Sequence, residues 1–271
     1  MSDVSSLEDV ARNFAARALH VPLAHVVSIE RIKHGLTNDS WRVRTMHDAV
    51  VVRLSNRAEA QLQIDRTSEA QVLGVVAEAG LGPEVLLCEP QEHVLVTRDA
   101  GATWSEADAH RVSNIERIGA LLARLHILDV PIGIREVDLI ATVNGYLNVL
   151  TARASVSELT ASATRTRAEH AAMALRQGEA RCLCHNDVHS LNVVDDGALR
   201  LIDWEYSGYG DPMFDLASIC VYHRYTRPER ERLLEAYLRT PIGNAAHQLE
   251  LACWLFEYVK DLWTEVRAAG A

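Results

Sequence analysis

No stretch of this sequence stays apolar for anything like the roughly 20 residues that a bilayer-spanning helix requires, so membrane insertion is not expected. The start, Met1-Ser2-Asp3-Val4, lacks both the basic segment and the apolar segment of a secretory signal, and the expected location is cytoplasmic. Cysteine is sparse. Cys88, Cys182, Cys184, Cys220 and Cys253 are odd in number and scattered over 271 residues, which argues against a disulfide framework and leads us to expect reduced thiols. Basic charge is short as well: a net charge of -10 leaves no surplus of Lys and Arg to neutralise nucleic-acid phosphates, so nucleic acid is not an expected partner. An acidic balance suits a small cation, and equally well suits ordinary solubility. Internal repeats and low-complexity segments are also lacking. What remains is a globular composition, 48% hydrophobic and 24% charged, long enough for one large core or two lobes.

Against that background one region stands out: His185-Asn186-Asp187-Val188-His189-Ser190-Leu191-Asn192, followed by Leu201-Ile202-Asp203-Trp204-Glu205. The pattern is H-x-D-x-x-x-x-N, then an acidic residue closing an apolar run. Phosphoryl transfer requires a carboxylate to orient the attacking hydroxyl and take its proton, together with hard oxygen ligands that hold Mg2+ against the phosphates of ATP. Asp187 fits the catalytic role, and Asn192 and Asp203 fit the metal role. Their spacing matches the catalytic-loop and metal-loop signatures of protein kinases, although Trp204-Glu205 stands where those have Phe-Gly. Asp196-Gly197, between apolar strands Asn192–Val194 and Leu199–Ile202, reads as a tight turn that puts both metal ligands on one hairpin. The chemistry implied is that of an ATP-dependent small-molecule kinase.

The rest of the chain supplies a scaffold. A helix is expected over Leu7–Leu19, with Ser5 or Ser6 as N-cap. Short β-branched runs at Val26–Ile32, Ser40–Thr45 and Ala49–Leu54 read as an antiparallel meander. A helix over Asp65–Gly80 precedes two further strands, Glu84–Cys88 and His93–Thr97. Beyond Gly101 the pattern turns to long helices: Asn114–Leu128, Val143–Ala154, Ala163–Gln177, Asp211–Tyr222, Pro228–Arg239 and Ala245–Ala269. The expected fold is α+β and bilobal, with a five-stranded antiparallel N-lobe over residues 1–98 for nucleotide and a helical C-lobe over 99–271 for catalysis and substrate.

The catalytic stretch, the Leu201–Tyr206 run and Gly210-Asp211-Pro212-Met213-Phe214-Asp215-Leu216-Ala217 resemble the choline/ethanolamine kinase branch of the aminoglycoside-phosphotransferase superfamily, a protein-kinase-like group. The resemblance implies a phosphate loop at Gly35-Leu36-Thr37-Asn38, with Gly35, Thr37 and Asn38 near the nucleotide. It implies that Arg53, where that fold usually has lysine, contacts phosphate and is fixed by Glu69, and that Val96 and Thr97 belong to an adenine-binding hinge. His126, His185, His189 and Asp215 are expected to support the catalytic loop.

For the acceptor, an aromatic cage with nearby acids would suit a cationic alcohol. The candidates are Glu205, Tyr206, Tyr222, Trp254, Tyr258 and Trp263, although Lys260 stands where the resembled terminal helix carries an aromatic. Choline or ethanolamine is the first expectation. Thiamine, an aminoglycoside or another hydroxylated metabolite is the alternative, and the protein is expected to act as a monomer or homodimer. A metal-dependent hydrolase built on Cys182, Cys184, His185, Asp187 and His189 is a remoter alternative, as is a nucleotide-binding pseudokinase.

Overall fold

A computed structural model describes residues 2–32, 38–55, 62–153, 158–176, 181–238 and 243–270. The chain begins with helix α1 (Ser2–Ala18) and strands β1 (Ser28–Ile32), β2 (Asn38–Arg44) and β3 (Ala49–Ser55). Helix α2 (Arg66–Glu78), β4 (Val85–Glu89) and β5 (Val94–Arg98) follow. The five strands form one antiparallel sheet in the order β1-β2-β3-β5-β4. Trp41, Val43, Val50, Val52, Val94 and Val96 from one sheet face pack with Ala11 and Ala15 of α1 into a small core. Helix α1 runs back to Ser2, past the serines expected to cap it, because short polar residues do not stop a helix as glycine or proline does.

Next come α3 (Glu106–Ala109), α4 (Val112–Leu125), α5 (Leu139–Ala152) and α6 (Ser162–Arg176), then β6 (Cys182–Cys184), β7 (Val193–Asp195), β8 (Leu199–Leu201) and β9 (Gly208–Gly210). Helices α7 (Pro212–Tyr222), α8 (Arg227–Leu238) and α9 (Ala245–Gly270) complete the fold. A larger core unites Ile118 and Leu122 of α4, Leu150 of α5, Leu216 and Ile219 of α7 and Leu255 and Leu262 of α9. One face of α2, with Val72, Leu73 and Val76, joins this second core, so α2 follows the helical lobe although it lies between sheet strands in sequence. No helix among the described residues is long and apolar enough to cross a membrane.

Three short elements escaped the sequence pattern. Helix α3 has a capping box in which Asp108 replaces the usual Glu, with Ser105 Oγ accepting from the Asp108 amide. Strands β6 and β9 pair with each other over three residues each, too short for a period to register. Helix α5 starts four residues earlier than Val143, because Asp138 caps it by accepting from the amides of Ile140 and Ala141 at 2.9 and 3.1 Å. The β7–β8 hairpin turns at Asp196-Gly197, where Gly197 adopts φ +107°, a backbone open to glycine at little cost. Asn192 and Asp203 flank this hairpin on either side.

Candidate active site

The loop after β6 is buried, so its amides need partners inside the protein. Helix α7 supplies them. Asp215, fully buried in its first turn, accepts from the amides of His185 at 2.9 Å and Asn186 at 2.5 Å, and its Oδ2 lies 3.0 Å from His126 Nε2. One turn on, Ser218 Oγ accepts from Val188 N at 3.0 Å. At the helix end, His223 Nε2 accepts from Ser190 N at 3.0 Å while Nδ1 meets Glu106 at 2.8 Å. Ser218 and His223 were not singled out from sequence, though both lie at helical spacing from Asp215 on the same face.

His185 connects two loops. Its Nδ1 accepts from the Asp187 amide at 3.2 Å, so Nε2 carries the proton and donates to the Ile202 carbonyl at 3.0 Å. With both ring nitrogens committed, His185 is not available to a metal, and the five-residue zinc set considered from sequence does not assemble. Cys182 and Cys184 do share a face, their sulfurs 3.6 Å apart, but they are buried beside His126 instead. His189 lies 3.6 Å from Asp187 and packs at a tilt against Tyr222, ring centroids 4.7 Å apart and planes inclined by 58°.

Asp187 Oδ1 accepts from the Tyr222 hydroxyl at 3.0 Å, and Oδ2 accepts from Asn192 Nδ2 at 3.2 Å. Burial alone would raise its proton affinity. Hydrogen bonding and charge from His189, then His185 and Tyr222, outweigh that and hold it below the ordinary carboxylate range. Asn192, its amide nitrogen spent on Asp187, keeps the amide oxygen for a ligand. Asp203 sits in left-handed backbone at φ +64°, a conformation Asp tolerates, and receives Arg53 Nη1 at 3.2 Å. Burial, reinforced by the charges of Glu69 and Asp187 and only partly offset by Arg53, raises its pKa.

Arg53 and Glu69 meet through two 2.6 Å hydrogen bonds, as expected, but they belong to a larger assembly. Arg66 bonds Glu69 at 2.8 Å and Asn38 at 2.8 Å and pairs with Glu205 at 3.1 Å; Asn38 in turn donates to Glu205 at 2.7 Å. Burial, then the neighbouring Asp203, lifts the Glu205 carboxyl to about 7 against the pull of Arg53 and Arg66. Asn38 and Glu205, expected at phosphate and acceptor respectively, are thus tied to each other and to Arg66. Gly35 and Thr37 lie outside the described residues.

These groups surround a cleft of about 760 Å³ between the lobes. Thr97 and Leu95 line it, whereas Val96 points into the small core and is fully buried, because successive strand residues face opposite sides. The Val96 expectation is therefore corrected. Across the cleft, Tyr206, Tyr222, Phe256, Lys260 and Trp263 form a wall, with Trp263 Nε1 donating to the Tyr206 hydroxyl at 2.9 Å. Trp254 and Tyr258 do not contribute. They stack on each other 5.7 Å apart, Trp254 lies under Arg167, and the Tyr258 hydroxyl donates to the Leu159 carbonyl at 2.6 Å. Residues 256, 260 and 263 share one face of α9, and 254 and 258 fall on the opposite one.

A bilobal frame with a carboxylate, an amide oxygen and a second carboxylate at its seam is a kinase-like architecture. The chain belongs to the phosphotransferase enzyme family (APH), whose model matches residues 28–251. Its fold superimposes on choline kinase LicA from Streptococcus pneumoniae with a TM-score of 0.78 at 22% identity, covering 98% of this chain and 92% of that one. A choline/ethanolamine kinase family protein from Mesorhizobium loti superimposes with a TM-score of 0.75 at 26% identity, covering 97% and 86%. Among curated proteins, protein LicA of Haemophilus influenzae is 34% identical over 92 residues, 31% of this chain and 34% of that protein, so the match spans about a third of that relative's length.

Proposed function

We propose that this protein transfers the γ-phosphoryl group of ATP to the primary hydroxyl of a small acceptor, choline or ethanolamine being the first to test because similar folds are named for them. The observation that carries the reading is the convergence of Asp187, Asn192 and Asp203 on one cleft, with the buried Arg53–Glu69 pair opposite. Asp187 accepts a hydrogen bond from the acceptor hydroxyl and aims its oxygen at the γ-phosphorus. The new O–P bond forms as the bond to the β–γ bridging oxygen breaks, and the proton passes to Asp187. Asp187's low proton affinity keeps it ionised and able to accept.

The donor set fits a divalent cation. Arg53 is shared between Glu69 and Asp203 while Arg66 is held by Glu69 and Glu205, and burial with the charges of Glu69 and Asp187 leaves Asp203 short of positive charge. Asn192 through its amide oxygen and Asp203 through its carboxylate would hold magnesium, which when bound neutralises charge on the phosphates. Arg53, oriented by Glu69, supplies a fixed cation on the opposite wall. Thr97 and Leu95 lie where a hinge would hold adenine, and Tyr206, Tyr222 and Trp263 offer faces to an acceptor cation.

The test is an acceptor screen that couples ADP release to product formation, run with choline, ethanolamine, thiamine and an aminoglycoside. Magnesium-dependent product from at least one supports the reading. Asp187→Asn is expected to lose at least about 100-fold in turnover while still binding ATP, and a variant of wild-type rate contradicts the role given to Asp187.

A further inference from the structure

The acceptor end of the cleft carries positive charge that the protein does not neutralise. Arg135, reaching this end from the segment before α5, donates to the backbone carbonyls of Gln63 and, at 3.1 Å, of Tyr206. Its Nε is buried with no hydrogen-bond partner, and among the described residues no carboxylate lies within ion-pair distance of it, Asp65 acting on it only from farther away. Arg53 also has an Nε without a partner, and what separates Arg135 from Arg53 and Arg66 is the carboxylate: both of those are held by Glu69. A guanidinium in such a setting bears an uncompensated desolvation cost, and burial pulls the pKa of Arg135 down.

Lys260, one of only two lysines in the chain, lines the same cleft from α9. Its partner is the adjacent Asp261, at 4.0 Å. The acids nearby are already engaged: Asp187 by Tyr222 and Asn192, and Glu205 by Arg66 and Asn38.

We propose that Lys260 and Arg135 form a subsite for an anionic group, a carboxylate in the first instance, so that the molecule phosphorylated carries an acid as well as a hydroxyl. The proposal rests on phosphoryl transfer at Asp187. An amino alcohol bearing a carboxylate satisfies the whole cleft: its hydroxyl meets Asp187, its ammonium lies on the aromatic faces of Tyr206 and Trp263, and its acid meets the two cations.

Matched acceptors test this. L-Serine is ethanolamine with a carboxylate added, and L-homoserine bears the same relation to 3-aminopropan-1-ol. The expected result is a kcat/KM at least about tenfold higher for the acid-bearing member of one pair. Lys260→Gln, on an accessible side chain, collapses that ratio towards one and Lys260→Arg preserves it, while Arg135→Gln repeats the collapse if its thermal midpoint shows it folded. Preference for the members without the acid, or a ratio unmoved by Lys260→Gln, overturns the subsite while leaving alcohol phosphorylation intact. Failure to consume ATP with any of these four, or with choline, thiamine or an aminoglycoside, removes the underlying reaction and the subsite with it.

Discussion

Asp187 has two oxygens, and the chain already occupies both. Oδ2 is held by Asn192, and the Tyr222 hydroxyl sits on Oδ1, the position that an acceptor hydroxyl would take in the proposed reaction. Burial and the neighbouring Asp187 keep the phenol protonated, hence a donor. Tyr222→Phe is expected to lower the acceptor KM and to raise acceptor-free ATP hydrolysis about threefold to tenfold, because water gains the vacated position. Steady-state ADP release with and without acceptor measures both, and a fall in basal hydrolysis contradicts the competition. At Glu69 the issue is stability. Its carboxylate compensates Arg53 and Arg66 together, so Glu69→Ala leaves two buried guanidiniums with too little negative charge. A broken buried pair costs about 3–5 kcal/mol, which corresponds to a thermal midpoint lowered by roughly 6–15 °C in calorimetry.

Helix α7 is the element on which the catalytic loop is built, since Asp215, Ser218 and His223 receive four of its backbone N–H groups. His223 accepts only when neutral. Burial depresses its pKa against the opposing carboxylate of Glu106, with the positive character of His189 and His110 adding to the depression. The unfolded chain then binds more protons than the native one below the ordinary histidine pKa of about 6.5. Stability is therefore full above that pH and declines as pH falls through the lower native value. His223→Gln, which keeps an acceptor for Ser190, is expected to remove that part of the acid sensitivity, as read from urea unfolding between pH 7.5 and pH 5.

The elements also show where sequence was legible. That Asp187, Asn192 and Asp203 come together on one cleft could be read because they lie at fixed spacing within one loop and one hairpin. The sheet strands could be read because β-branched runs and turn residues alternate. Helix α9 was recognised as an aromatic stripe, but its two faces both carry aromatics, and only the packed structure shows that Trp263 faces the cleft while Trp254 and Tyr258 face Arg167 and Leu159. Arg66 went unnoticed because its partners Asn38 and Glu205 are far from it in sequence and nothing local marks the connection. Val96 failed for a narrower reason: strand alternation offers two faces, and burial chooses between them.

At the scale of the molecule, the two lobes are joined across the cleft by charges. Arg53 and Asn38 come from the sheet, Asp203 and Glu205 from the loop after β8, and Arg66 of α2 links Asn38 to Glu205. On the proposed reading, magnesium–nucleotide at this seam would stabilise the native state by mass action, about 2.7 kcal/mol at a ligand concentration 100 times Kd. Thermal unfolding is expected to show a rise with Mg2+ and a non-hydrolysable ATP analogue together, and Asp203→Ala is expected to lose the magnesium-dependent part of it. An equal rise in the variant contradicts the metal assignment.

One imidazole gives this seam a further property. The ring of His185 accepts from the amide of Asp187 on one side and donates to the carbonyl of Ile202 on the other, so the backbone of Asp187 and the backbone beside Asp203 are held through a single side chain. Any effect that occupancy on one side of this ring has on affinity at the other must, by thermodynamic linkage, be returned equally in the opposite direction.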